Sequence, residues 1–365
     1  EIVPVSVQPS DFLARRTAVL GMTRTGKSNM IKQMVSVVKR VADEGQAQIG
    51  QIIYDINGEY ANPNQQDQGA IADVYPQDTV RYRMMETPGF EELRTNFYEQ
   101  LNEGFGIIQR ELESAGRVTT DYVRAFVNMS LDEPDKQEVS EWKRWQVRVA
   151  AYKVLLYVAG FTPPSRHLVR FGANAKVQEQ VSAKAGERFP DPKDGLTLEQ
   201  ARRWFLAARE ANLEAPLLSS TAGKDWVDDT LQTLLDMIAQ KRGTSGYISG
   251  YRILADSLRY HSPRRTTEVA EEIYQHLVAG KIVILDLSVG DARIREKVST
   301  QIAQRIFQNS MNLFVQGQTP PNIVVYIEEA HNLIGKRMEL TETWPRLAKE
   351  GAKYRIALVY ATQEV

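Results

Sequence analysis

Cysteine is absent from the 365 residues, which excludes disulfides and thiolate metal sites. Histidine is scarce: His167, His261, His276 and His331 are the whole set, and their spacing matches no metal-ligand pattern. No apolar run approaches the roughly 18 residues that span a bilayer, and the N-terminus shows no secretion-signal pattern. The expected location is therefore cytoplasmic. Net charge is also missing, with 45 basic residues against 46 acidic ones. Bulk charge thus gives no argument for nucleic acid, and any such binding must come from a local basic surface or one created by assembly. What remains is ordinary for a globular chain, 42% hydrophobic and 25% charged. That is enough for a large single domain or two domains. No internal repeat is visible.

The most informative stretch is Gly21 to Ser28, GMTRTGKS. It fits the pattern of a phosphate-binding loop, Gly, four residues, Gly, Lys, Ser/Thr. Backbone N–H groups of such a loop wrap a β-phosphate, and the following helix points its positive N-terminus at the same anion. Lys27 supplies a charge for the β/γ oxygens, and the Ser28 hydroxyl suits Mg²⁺. The context is the required one. Thr17 to Leu20 reads as a short apolar strand, and Met30, Ile31, Met34, Val35, Val38 and Val41 fall on one helical face with a stop at Gly45. The candidate nucleotide-binding residues are Thr23, Arg24, Thr25, Gly26, Lys27, Ser28 and Asn29, and the implied cofactors are ATP and Mg²⁺.

Further strands are expected at 49–55, 79–84, 281–288, 323–327 and 355–362, several of them apolar throughout, as in a buried parallel sheet. Ile294 to Phe307 marks a helix ending near Gly317. Between them, 88–280 reads as mostly helical. Phe90, Leu93, Phe97, Leu101, Phe105, Ile108 and Leu112 repeat at three and four, Trp142 to Leu155 forms another run, and Trp226 to Arg242 a third. Thr197 and Gln200 form a capping box opening a helix through Asn212. The aromatics of this stretch read as core. Glu1 starts and Val365 stops the chain abruptly, so further sequence is expected on both sides.

Four signals fall at strand ends: the phosphate loop, DINGEY from Asp55, Glu328-Glu329, and Thr362-Gln363. In an open parallel sheet those ends share one crevice where ligands bind. There Glu328 is expected to hold Mg²⁺ directly or through water. Glu329 polarises the attacking water, and Gln363 touches the γ-phosphate or that water. Asp55 to Gly58 also fits the Asp-x-x-Gly of GTPases, but no guanine-reading Asn-Lys-x-Asp follows, which favours adenine.

GMTRTGKSN, DINGEY, IVILDLS, IEEAHNLI and KEGAKYRIALVYATQ, in this order, resemble the HerA helicase/translocase family of the FtsK–HerA superfamily. The resemblance covers 1–88 and 281–365. It implies an α/β fold: a discontinuous RecA-like P-loop ATPase core with a mainly parallel sheet, and a large, mostly helical insertion over 89–280. It further implies a homo-hexameric ring that moves double-stranded DNA with ATP and works with a partner nuclease or a sirtuin-type effector, in DNA end processing or antiphage defence. Arg15, twelve residues before Lys27, stands where that family places an arginine finger acting on the neighbouring subunit's ATP.

Several positions depart from the family pattern. Arg24 and Thr25 replace a Gly-Ser, Glu328 replaces an Asp, and Gly351-Ala352-Lys353-Tyr354 lacks the family's Arg. Arg355 or Lys353 is the substitute for that second arginine. A ring that binds nucleotide and scaffolds an effector without translocating is the alternative function; a small-molecule kinase lacks any acceptor-site motif. Two basic clusters, Arg259, Arg264 and Arg265, and Lys143, Arg144 and Arg148, are either solvated faces or DNA contacts.

Overall fold

The computed structural model describes residues 16–22, 26–63, 69–219, 223–289, 292–330 and 342–362. They divide into two units, 1–94 with 267–365, and 95–266. The first contains β1 (Arg16–Leu20), α1 (Lys27–Glu44), β2 (Ile49–Asp55), α2 (Ile71–Val74), β3 (Thr79–Arg83) and β4 (Glu91–Glu92). The chain returns to it with α3 (Val269–Val278), β5 (Ile282–Asp286), α4 (Ala292–Val315), β6 (Asn322–Ile327), α5 (Thr343–Glu350) and β7 (Ile356–Thr362).

The seven strands form one sheet in the order β1-β7-β6-β2-β5-β3-β4, with every ladder parallel. This is an α/β arrangement around a parallel sheet. The strand leading to the phosphate loop pairs with β7, and β7 separates it from the strand that ends at Glu328. β2 and β5 are buried along their whole length, which is why they read as continuous apolar runs rather than alternating ones.

Helix α1 packs on one face of the sheet. Ile31, Met34, Val35, Val38 and Ala42 are its buried residues, and they join Ile53, Ile284, Val324, Tyr326 and Val359 in one core. Met30 is 44% exposed, so the buried stripe starts one residue later than the sequence pattern suggests and ends on Ala42. Gln51 is a polar residue inside this core, and it is satisfied. Its amide donates to the Val35 carbonyl at 3.2 Å and its oxygen accepts from the Tyr326 hydroxyl at 2.8 Å. Trp344 of α5 meets Tyr54 edge-on, with ring centroids 5.2 Å apart, and donates to Thr300 of α4 at 3.2 Å.

The second unit is mostly helical, with helices Leu101–Ser114, Asp121–Val127, Val139–Val158, Ala175–Ala185, Leu198–Glu214 and Asp229–Ala239 and a 3₁₀ segment Gly250–Tyr260. Thr197 and Gln200 form the expected capping box. The helix expected from Phe90 begins only at Leu101. Asn96 is the cause: its side chain accepts from Tyr98 N–H and donates to the Pro263 and Arg265 carbonyls, a local arrangement that competes with helix. The unit thus starts at Thr95 rather than at residue 89, and α3, within the stretch assigned to the insertion by sequence, packs on β2 in the first unit. His261 is a satisfied core residue. Phe97 N–H donates to its Nδ1 at 3.2 Å, and its Nε2 lies 2.7 Å from the Thr162 carbonyl.

Candidate functional site

The site is built where β1, β7, β6 and β2 end side by side. Leu20 is level with Thr362, and Ile327 with both Tyr360 and Tyr54. The chain after each strand end therefore lands on the same rim. Gly26 caps α1 in the left-handed region, φ 90°, a conformation other residues adopt only with strain. It delivers Lys27 and Ser28 as the first helical residues, at the positive end of the helix dipole. The Lys27 ammonium donates to the Gly21 carbonyl at 2.6 Å and the Met22 carbonyl at 3.0 Å, so it is held over its own loop. Asn29 is exposed in the first turn.

Ser28 donates to Glu328 Oε1 at 3.0 Å. Glu328 is buried, and its Oε2 has no hydrogen-bond partner among the described residues. Burial pushes the Glu328 carboxyl up to about 8, helped by the negative charges of Asp55 and Glu59 and opposed by the Ser28 hydroxyl. A buried carboxyl with one open oxygen, a Ser hydroxyl on the other and further acidic groups close by is a donor set in need of positive charge. It fits Mg²⁺, which takes one or two carboxylates and completes its shell with water and substrate phosphates. No cluster of three or more Asp, Glu or His residues able to cage a metal without such help occurs among the described residues.

Glu329 is also buried, and its backbone is left-handed, φ 45°. Residues other than glycine, Asn and Asp rarely adopt that region, and such strain concentrates at functional positions. Arg15, Thr23, Arg24, Thr25 and Gln363 lie outside the described residues. Arg355 is not brought to the cluster. It caps the 3₁₀ turn before β7, with φ 60°, at the end of the sheet opposite Ser28. Seven strand residues at ~3.3 Å each, roughly 20 Å or more, separate it from this chain's phosphate loop.

Around the turn that Asp55 opens stand Asn62, Arg83 and Asp286, to which the sequence alone assigns no role. The Asp55 carboxylate accepts the backbone N–H groups of Gly58 at 2.7 Å and of Glu59, Tyr60 and Ala61 at 3.0 Å each. Gly58 allows this with φ 78°, and a Cβ there would meet Ser288 Oγ at 2.9 Å. Burial lifts the Asp55 carboxyl to about 6 against the pull of those N–H groups. Both its oxygens serve the DINGEY turn, so it is a brace for the loop. Beside it Asp286, level with Asp55 on the neighbouring strand, is fully buried and ion-paired with Arg83. Asn62 bridges the two, donating to Asp286 at 3.2 Å and accepting from Arg83 at 2.9 Å.

In the second unit the basic clusters are largely engaged. Arg259 donates to Glu111 at 3.0 Å, Arg144 pairs with Asp228 at 3.6 Å, Arg148 donates to the Ser130 carbonyl at 3.1 Å, and Arg265 is buried. Lys143 and Arg264 are exposed.

Residues 1–131 match the sequence family of the helicase HerA central domain, DUF87. Over that stretch the chain is similar to the HerA central domain. The matched stretch contains the phosphate loop and the Asp55 turn; β5, β6 and β7 of the same sheet lie beyond it. No curated protein matches the sequence. Among solved structures the chain is similar to a bacterial conjugative coupling protein, TrwBdeltaN70 in its unbound monoclinic form, with 11% identity and a TM-score of 0.37. The comparison covers 97% of this chain and 64% of that one, so this chain spans less than two thirds of the length of that protein. No helix among the described residues is long and apolar enough to cross a membrane.

Proposed function

We propose that the protein is an ATP-hydrolysing motor that, as a homo-hexameric ring, translocates on or unwinds double-stranded DNA in concert with a partner nuclease or other effector. The observation that carries the chemical part is the contact of Ser28 with Glu328 at the shared end of four parallel strands, with Glu329 next to it. Lys27, Ser28 and the helix N-terminus hold the phosphates. Ser28 and Glu328 would hold Mg²⁺, which would supply charge neutralisation to the phosphates. Glu329 accepts the proton of the attacking water, and the residue following Thr362, Gln363, reads the γ-phosphate. The motor part is supported by the HerA likeness over 1–131. Its hexamer and DNA partner follow from that likeness, not from a basic surface in this chain.

ATP hydrolysis measured with and without blunt duplex DNA tests the reading. Duplex DNA is expected to stimulate turnover. DNA affinity should fall with salt, with a log–log slope of about −0.9 per phosphate neutralised and no dependence on base sequence. Lys27→Ala should abolish nucleotide binding and hydrolysis together. ATPase activity that is indifferent to duplex DNA points instead to a nucleotide-binding scaffold, and activity that survives in Lys27→Ala removes the site itself.

A further inference from the structure

Tyr60 is fully buried, and its hydroxyl lies 3.5 Å from Glu328 Oε1. That is the oxygen Ser28 also reaches, and Ser28 faces the Tyr60 phenol as well. Two hydroxyls from distant parts of the chain thus converge on one carboxylate oxygen, while the other oxygen, Oε2, keeps no partner among the described residues. Nothing about this is left to a mobile loop. Asp55 grips the N–H groups on both sides of Tyr60, and Gly58 supplies the left-handed residue that the turn requires. On the other side, the Lys32 ammonium of α1 lies over the Tyr60 ring, 5.9 Å from its centre, where a cation is favoured by the ring face and the phenol is made a better donor.

Side-chain length gives this arrangement a purpose. Glu328 carries one methylene more than an Asp would at this position. The extra methylene adds a rotatable bond, and holding it in one rotamer costs conformational freedom. A single contact from Ser28 does not secure it, because a Ser28 hydroxyl that engages a metal takes its orientation from the metal. We propose that Tyr60 is a positioning residue that anchors Glu328 Oε1 and so leaves Oε2 as the atom presented to the divalent cation of a bound nucleotide. The inference rests on the nucleotide-site reading above and assigns Tyr60 no contact with substrate. Outer partners of this kind set the orientation of a metal ligand.

The test is a double-mutant cycle read by metal binding rather than by turnover. Wild type, Tyr60→Phe, Glu328→Asp and the double variant are each loaded with ADP and titrated with Mn²⁺, free Mn²⁺ being followed by electron paramagnetic resonance. Metal-free ADP affinity is measured in parallel. Tyr60→Phe is expected to weaken Mn²⁺ binding about tenfold and to leave metal-free ADP affinity as it was, since Phe fills the same volume. Glu328→Asp withdraws the carboxylate from the phenol. In that background Tyr60→Phe is expected to add less than about a twofold loss, which shows that the two residues are coupled through one contact. Equal losses in both backgrounds, or Mn²⁺ affinity unchanged in Tyr60→Phe, would overturn the proposal, as would a parallel loss of metal-free ADP binding. Wild type that binds ADP without Mn²⁺ enhancement would overturn the metal-site reading as well, which separates the two failures.

Discussion

Ser28 and Glu328 are 300 positions apart in sequence, yet the hydroxyl of one donates to the carboxylate of the other at 3.0 Å. The contact exists because β6 delivers Glu328 beside β2, and β7 spaces β6 one strand away from the phosphate-loop strand. One crossing of the sheet rim therefore joins the Glu328 carboxylate to the helix that follows the phosphate loop.

Adjacent carboxylates with different surroundings should give separable defects. Glu329→Gln keeps size but removes the base, and turnover is expected to fall by about 10²–10⁴ while ATP remains bound. Glu328→Gln keeps size but weakens the metal ligand, so the Mg²⁺ concentration needed for half-maximal rate should rise. Steady-state rates against Mg²⁺, with nucleotide retention on a filter, check both. The opposite pattern exchanges the two roles.

Arg83 and Asp286 form a buried ion pair at the base of the DINGEY turn. Burial alone would raise the Asp286 carboxyl, but Ser288, Arg83 and Asn62 outweigh it and hold it below the ordinary carboxylate value. Its ionised form thus contributes stability that is complete above the unfolded value of about 3.9 and is lost as pH falls below it. Arg83→Met strands that charge and is expected to cost about 3–5 kcal/mol at pH 7. Urea unfolding should show this gap shrinking as pH drops under about 4. A gap that is the same at both pH values would assign the loss to packing.

Arg15 is proposed to act on the ATP of the neighbouring subunit. The adjoining residue, Arg16, opens β1 at the end away from the phosphate loop, four residues before Leu20. At ~3.3 Å per strand residue, the start of β1 is more than about 13 Å from the loop it feeds. Such an arginine can serve only across a subunit boundary, where it is worth about 10³–10⁵ in rate. Arg15→Ala and Lys27→Ala should each be inactive. Mixed and reassembled, they should recover part of the ATPase activity, in proportion to interfaces with Arg15 on one side and Lys27 on the other. Verified mixed rings with no recovery at any mixing ratio reject a finger in trans. The same mixing applied to Arg355→Ala tests whether the guanidinium at the foot of β7 serves a neighbour too.

The sequence is legible where one physical demand dominates a stretch. Buried parallel strands need continuous apolar runs, and β2, β5, β6 and β7 were readable for that reason, with Glu328 placed by the strand before it. The phosphate loop is readable because backbone donors, a left-handed glycine and a following helix must occur together. Tyr60, Asn62, Arg83 and Asp286 were not readable, because each acts through a partner on another strand and has no local spacing. The one available cue was Asp55 three residues before a glycine, which marks a carboxylate positioned to accept its own turn's N–H groups. The heptad-like pattern from Phe90 misled for a related reason. Leu93 and Phe97 are buried as that pattern requires, but Asn96 offers the backbone a competing set of bonds.

The pairing of β1 with β7 also sets the order in which this protein can come into being. Among the described residues β1 has no other strand beside it. A ribosome adding ~5–20 residues per second takes roughly 20–70 seconds to go from Leu20 to Thr362, the pair that closes that ladder. Throughout that interval the phosphate loop is attached to a strand with no sheet to join, while the helical unit between them is already free to fold. The nucleotide site thus cannot be completed before β7 has been made, and a chain released before residue 356 could hold every loop residue and still bind no ATP.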